Sequence, residues 1–292
     1  MKVSGFTFIR NAVVNDYPVV QAITSILPLC DEFIVVVGRS EDGTRGLIEN
    51  INSPKIKIID SVWDDSLSEG GRVFAQETNK AFAAIAADSD WAFYIQGDEL
   101  VHEQYHALIK KEMEANLNRP EIEGLLFKYI HFFGSYDHYA HSRRWSILEI
   151  RLVKNINGIQ SYRDAQGFRL NGRKIQVKLI DAYIYHYGWV KPPKGLNNKI
   201  RNFNSFYNDE AWMEQHMPET YEFDYGNADR LIRFTGTHPE VMQQRINATK
   251  WNIDLGSKPL KRSMTTRRKV LQKIEDITGW RIGEYRNYKI VR

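Results

Sequence analysis

Apolar and polar positions along the first hundred residues switch repeatedly between a period of two and a period near 3.6. Val3 to Ile9 alternates weakly, reads as a strand, and is ended by Arg10-Asn11. Asn15-Asp16 with Pro18 is a helix start, an Asx cap with proline in the first turn. Val19, Val20, Ile23, Ile26 and Leu27 then keep helical spacing until Pro28. Phe33 to Val37 is a continuous apolar run, the mark of a strand covered on both faces. Gly38 to Thr44 is a polar loop that opens a helix through Asn50, and Lys55 to Ile59 is a third strand. A polar stretch from Asp64 to Arg72 precedes an alanine-rich helix over Val73 to Ala87, which leads into the short apolar strand Trp91 to Ile95. Four strands alternating with helices predict a parallel sheet with right-handed crossovers and covered faces.

After Asp98 the pattern changes. Leu100 to Asn116 reads as a helix, and Gly124 to Phe133, Glu149 to Val153 and Ile175 to Tyr187 read as strands. The loops between them, Tyr136 to Trp145 and Ser161 to Gly167, are polar and aromatic, which suits binding better than core packing. From Asn197 onward the signal is helical. The predicted class is α/β: a mixed, mostly parallel sheet flanked by helices, with a helical C-terminal extension. The expected division is a catalytic unit over 1–190, split into halves 1–100 and 101–190, followed by the extension 191–292.

A hydrophobic fraction of 42% over 292 residues supports a true core and argues against disorder. No apolar run approaches the roughly 18 residues of a membrane span. The single cysteine, Cys30, rules out an internal disulfide and fits a reducing, cytoplasmic setting. The net charge of +4 is unevenly spread: from Lys258 to Arg292 there are eleven Lys or Arg against three acids, so the rest of the chain is net acidic. Such a tail is either a solvated helix face or a contact for an anionic membrane surface.

Candidate chemistry concentrates in Gln96-Gly97-Asp98-Glu99, directly behind the strand Trp91 to Ile95. The carboxyl ends of strands in open α/β sheets are where ligands bind. Gly97 allows a sharp turn and a close approach. Two adjacent carboxylates repel and lose hydration there, so a cation or a bonded partner is expected. Asp98 is either that cation's ligand or the cap of the next helix. His102-Glu103-Gln-Tyr-His106 matches H-E-x-x-H, which in a helix interior would hold zinc with Glu103 as base. Here it falls in the first turns of the predicted helix.

Three stretches resemble a family 2 glycosyltransferase of the GT-A, Rossmann-like fold. Phe8-Ile-Arg-Asn11 resembles the first-strand ending over the nucleotide base. Val35-Val-Val-Gly-Arg-Ser-Glu-Asp-Gly-Thr44 resembles V-D-x-G-S-x-D-G-T. Phe93-Tyr-Ile-Gln-Gly-Asp-Glu99 resembles the strand carrying D-x-D-E. His186-Tyr-Gly-Trp189 resembles a later histidine-aromatic element of some relatives. The resemblance implies an inverting transfer of sugar from a nucleoside diphosphate sugar to a hydroxyl, with Mn²⁺ or Mg²⁺ on the diphosphate and a cell-envelope polysaccharide as acceptor. It places Phe8, Arg10, Asn11, Asp42, Gln96 and Gly97 around the nucleotide, with Arg72 and Asn79 near the diphosphate or ribose. It makes Asp98 the metal ligand, with His186 on the metal or a phosphate. The base is Asp164, with Asp137 the second choice; both are also ordinary Asx-turn residues. Two departures stand out. Gly38 replaces the base-binding aspartate, leaving Arg39 or Asp42 to substitute, and Gln96 replaces the first aspartate of D-x-D. The competing readings are a zinc hydrolase using His102 and His106, and a GT-A-like scaffold that binds glycan without catalysis.

Overall fold

The apolar runs of the first hundred residues become adjacent parallel strands. A computed structural model describes all residues except 65, 66, 68–70, 205–209, 217–221, 252, 254, 256–259 and 292. Strand β1 (Val3–Ile9) lies between β2 (Glu32–Gly38) and β4 (Trp91–Tyr94), and β3 (Ile56–Ser61) adds outside β2. All three ladders are parallel. Alternate side chains of β2 and β4 enter opposite cores. Phe33, Val35, Val37, Trp91 and Phe93 pack with α1 (Val19–Ile26) and α4 (His106–Asn116), whereas Ile34, Val36, Ala92 and Tyr94 pack toward α3 (Arg72–Ala83). Burial on both faces explains why these strands read as unbroken apolar runs. The short α2 (Thr44–Glu49) follows β2.

The predicted helix from Leu100 begins later. Glu99–Val101 forms β5, because Leu100 and Val101 pair antiparallel with Tyr185 and Ile184. A 3₁₀ turn over Glu103–Tyr105 then leads into α4. The second half supplies β6 (Gly124–Phe133), β7 (His138–Ala140), β8 (Leu148–Lys154) and the long β12 (Gln176–Trp189). Strand β8 inserts between β4 and β6, antiparallel to both, and β12 runs parallel to β6. Between them β9 (Ile159–Ser161), β10 (Phe168–Leu170) and β11 (Arg173–Lys174) form a separate three-stranded sheet. It packs on α3 through Ile159 and Phe168.

The segment after residue 190 is helical in α5 (Pro193–Asn204), α6 (Glu210–His216), α7 (Gln243–Ala248) and α8 (Thr266–Thr278). It also returns two short strands to the main sheet: β13 (Leu231–Arg233) beside β7 and β14 (Lys289–Ile290) beside β12. Among the described residues the main sheet has eleven strands, parallel on the β3-β2-β1-β4 side and mixed beyond β4. The chain runs outward from β1 to β3 and then crosses back to β4. The topological switch point, where open α/β sheets bind ligands, therefore lies between the carboxyl ends of β1 and β4. No described helix is long and apolar enough to cross a membrane.

Candidate active site

A cavity of about 960 Å³ opens at that switch point. Ile9, Arg10 and Asn11 leave β1 along one side, and Gln96, Gly97 and Asp98 leave β4 beside them. Gly97 keeps this approach close: a Cβ there would lie 2.8 Å from Ile9 Cδ1 and would have to displace that side-chain end. The cavity is also lined by Phe8, Trp63 and Phe74. Phe8 stacks on Phe74 with centroids 6.0 Å apart, Trp63 meets Phe74 edge-on at 5.7 Å, and the Arg10 guanidinium lies 5.3 Å from the Trp63 ring centre. This cluster explains Gly38. A Cβ at that position would fall 2.4 Å from the Trp63 indole nitrogen and 3.1 Å from Arg10 Cβ, so no aspartate fits there.

The adjacent acids Asp98 and Glu99 are both buried and each has its own cation. Glu99 receives a two-point bond from Arg151, Nε to Oε2 at 2.6 Å and Nη2 to Oε1, and also accepts from the Tyr129 hydroxyl and the Gln96 amide. Burial opposes the Arg151 charge, but the Glu99 carboxylate holds its pKa well above the ordinary value. Asp98 Oδ2 accepts from Lys199 Nζ at 2.8 Å and lies 3.5 Å from His186 Nε2. Burial alone would raise the Asp98 pKa; the charges of Lys199 and His186 hold it well below the carboxylate range. Lys199 comes from α5 and also donates to the Gly188 carbonyl at 3.0 Å.

The partners of each histidine fix its protonation. His131 Nε2 is 2.9 Å from the Ser146 carbonyl, which only accepts, so that nitrogen carries a proton. Burial and the neighbouring His186 push the His131 pKa well down, so the ring is neutral and its Nδ1 accepts. The His186 Nδ1 facing it at 3.0 Å therefore donates. Its other nitrogen, Nε2, is the one that faces Asp98 Oδ2.

Tyr129, Trp145, Trp189, Glu149 and Asp164 line the cavity beyond this centre. Burial raises the Glu149 pKa to about 7, against the pull of Arg151. Asp164 lies in the β9–β10 turn between two non-glycine residues at positive φ, Arg163 at 56° and Ala165 at 61°. Left-handed backbone costs roughly 1–2 kcal/mol per such residue, and strain of this kind gathers at functional positions. Gln166 Nε2 donates to the Asp164 carboxylate at 2.8 Å.

Of the residues singled out from the sequence, Phe8, Arg10, Asn11, Gln96, Gly97, Asp98, Asp164 and His186 line one cavity. Five others do not line it. Asp42 accepts from the Val14 and Thr44 amides and from the Thr44 hydroxyl, clamping the loop after β1. Arg39 is exposed, with its amide on the Ser61 carbonyl. Arg72 opens α3. Asn79 accepts from the Ser161 amide at 2.7 Å. Asp137 is exposed in the β6–β7 turn. His102 precedes α4, accepts from the Gln104 amide through Nδ1, and pairs with the Thr237 hydroxyl; His106 donates to the Ser25 carbonyl. The two rings therefore do not share a helix face, as H-E-x-x-H requires. The sequence reading missed Lys199, Trp63, Phe74, Tyr17 and Glu149. Their signals were a lone lysine, aromatics in polar context and a strand-end acid, all of which gain meaning only across the fold.

No protein-family model matches the chain, and no curated protein matches its sequence. Among solved structures, S. aureus TarS (residues 1–349) is 13% identical over 75% of this chain and 70% of its own, with a TM-score of 0.41. Glucosyl-3-phosphoglycerate synthase from Mycobacterium tuberculosis, in complex with Mn²⁺, UDP-glucose and phosphoglyceric acid, is 13% identical over 72% of this chain and 81% of its own, with a TM-score of 0.38. A 4-diphosphocytidyl-2C-methyl-D-erythritol synthase from Anaerococcus prevotii is 12% identical over 65% and 89%, with a TM-score of 0.37. The strand order decides the class: a parallel β3-β2-β1-β4 half is continued by an antiparallel β8 and a mixed second half. The fold is α/β, with a Rossmann-like, mixed and mostly parallel sheet.

The GT-A resemblance implies a divalent ion on the D-x-D carboxylates, and the residues present do not fit one. Gln96 is neutral, and Asp98 Oδ2 is bonded to Lys199. Among the described residues no three His, Cys, Asp or Glu come together as a metal-holding group.

Proposed function

We propose that the chain transfers a sugar from a nucleoside diphosphate sugar to a hydroxyl acceptor, with inversion at the anomeric carbon. The observation that carries this reading is one cavity lined by an aromatic-arginine cluster, by a buried carboxylate-ammonium centre and by two acceptor-side acids. The aromatic cluster of Phe8, Trp63 and Phe74 suits a stacked base. In the transfer, the acceptor oxygen bonds to the anomeric carbon as its proton passes to the Asp164 carboxylate. The bond to the β-phosphate oxygen breaks, and its electron pair leaves with the nucleoside diphosphate. Glu149 is the second candidate base, favoured by its pKa near neutrality. The test is a panel of nucleoside diphosphate sugars, with released nucleotide assayed and the product anomer read by NMR. Asp164→Asn is expected to abolish transfer while sparing donor binding; if Glu149→Gln does so instead, the base is Glu149. No nucleotide release from any donor, with or without acceptors, would leave a glycan-binding scaffold.

Residues 1–190 form the proposed catalytic unit, completed by Lys199 from the extension. The proposed acceptor is a cell-envelope glycan, met at an anionic membrane face. Arg267, Arg268, Lys269 and Lys273 are exposed on α8, and Val270, Ile277 and Trp280 are exposed with them. Lys258 and Arg292 of the same basic tail lie outside the described residues. Salt-sensitive co-sedimentation with anionic but not zwitterionic vesicles is the expected result.

A further inference from the structure

We propose that the Lys199 ammonium takes the place of the divalent cation, so that this site holds a donor's diphosphate without metal. The inference rests on the nucleotide-sugar reading of the same cavity. Three observations carry it. With Gln96 at the first D-x-D position, Asp98 is the motif's one remaining carboxylate on the cavity, and Lys199 Nζ bonds its Oδ2 at 2.8 Å. The ammonium is fixed from a second side by the Gly188 carbonyl at 3.0 Å. Gly188 itself is shaped for the cluster: a Cβ there would lie 2.5 Å from Asp98 Oδ2, 2.5 Å from His186 Nε2 and 2.6 Å from Lys199 Nζ. The chain has therefore built a socket for a side-chain cation at the position where a metal would need open coordination.

The chemistry differs from that of a metal. Mg²⁺ or Mn²⁺ brings two charges and takes its ligands from several oxygens. An ammonium brings one charge and three donors. Asp98 and the Gly188 carbonyl take two of those donors, which leaves one N–H for a phosphate oxygen. Lys199 also lies 5.1 Å from the Tyr17 ring centre, with the buried Lys191 over the same ring at 5.2 Å. The second lysine donates to the Asp16 carbonyl, and burial, with Lys199 beside it, lowers its pKa to about 7. A preorganised ammonium stabilises charge developing on the departing diphosphate without any reorganisation at the moment of reaction. Asp98 becomes a positioning residue, aiming Lys199 instead of ligating an ion.

The test is binding, read separately from turnover. UDP, GDP, CDP and ADP are titrated calorimetrically against the full chain, once in EDTA and once in excess MnCl₂. One nucleotide is expected to bind with the same affinity in both buffers. Lys199→Met is expected to weaken it ~30-fold or more, as loss of one partner of a buried charged contact does. Lys199→Arg, which keeps the charge, guards against a folding defect and is expected to retain part of the EDTA binding. The double variant Gln96→Asp/Lys199→Ala restores two carboxylates and removes the ammonium, and is expected to bind only with Mn²⁺. Binding that requires Mn²⁺ in the unaltered chain, or a Lys199→Met variant that binds normally in EDTA, overturns the proposal and leaves the nucleotide reading standing. Absence of binding by all four nucleotides in both buffers overturns both.

Discussion

The two walls of the cavity are made in opposite ways. One wall is the carboxyl ends of β1 and β4, so Arg10, Asn11, Gln96 and Asp98 arrive directly behind strands that are themselves fixed by ladder hydrogen bonds. The other is gathered from β6, β8, the β9–β10 turn, β12 and α5, whose residues meet only when the whole sheet is formed. Lys199 stands 101 residues from the carboxylate it bonds. The difference reaches down to neighbouring residues. Glu99 faces inward to Arg151 and ties β5 to β8, whereas Asp98 faces the cavity and engages the second wall. Adjacent acids of the same charge thus do different work, the first joining the two walls and the second holding the sheet together.

That contrast is open to breakage. The largest expected effect is on Asp98: Asp98→Ala should lower transfer at least about a hundredfold, the size seen when a preorganised electrostatic group is removed. Unchanged nucleotide release under saturating donor would dissolve the distinction between the two acids. Glu99→Gln should instead act on stability, by about 3–5 kcal/mol in urea unfolding, because it strands the buried Arg151 charge. Replacing both partners, as Glu99→Leu/Arg151→Met, should recover most of that loss; a double variant as unstable as the single one would show that the pair is more than mutual neutralisation.

A third effect is pH-dependent and of about 3 kcal/mol at most, at roughly 1.4 kcal/mol per unit of pKa. The folded-state pKa of Glu149 is raised to about 7 from 4.5. A raised acid makes its stabilising contribution in full below the unfolded pKa and loses it as pH rises through 7. Glu149→Gln should therefore flatten the fall in stability between about pH 4.5 and 7. His131 is depressed by burial and acts with opposite sign, so the quantity to measure is the difference between variant and parent. The smallest expected effect is at Asp42. Asp42→Ala should cost about 1 kcal/mol of thermal stability, as loss of an Asx cap does, and appear in the melting midpoint before it appears in donor affinity.

The first wall was legible in the sequence for a local reason. Unbroken apolar runs mark strands buried on both faces, and the residues directly after such a strand sit at the sheet's carboxyl edge. Gly97 and Asp98 were found this way, whereas Phe8, Arg10, Asn11 and Gln96 came from the resemblance carried by the same strand endings. The loop Gly38 to Thr44 was correctly read as an element of that edge, but its role is mechanical: Asn11, Ala12 and Val14 hang from Ser40, Thr44 and Asp42. The second wall was not legible. A lysine in a polar helix carries no mark of its partner until β12 and α5 are folded against β4. Trp63 lay in a polar stretch, and only Gly38 opposite it explains why an indole is needed there. Leu100 and Val101 were assigned to a helix because short apolar runs do not distinguish helix from strand, and pairing with β12 decided the matter.

Helix α3 bears on both ends of the cavity at once. Phe74 presents its ring among the aromatics, and about one and a half turns later Asn79 pins the Ser161 amide at the root of the turn that carries Asp164. A rigid rod with a foot on each bank transmits any tilt from one to the other. Whatever settles against Phe74 therefore bears on the same helix that pins the chain three residues before Asp164.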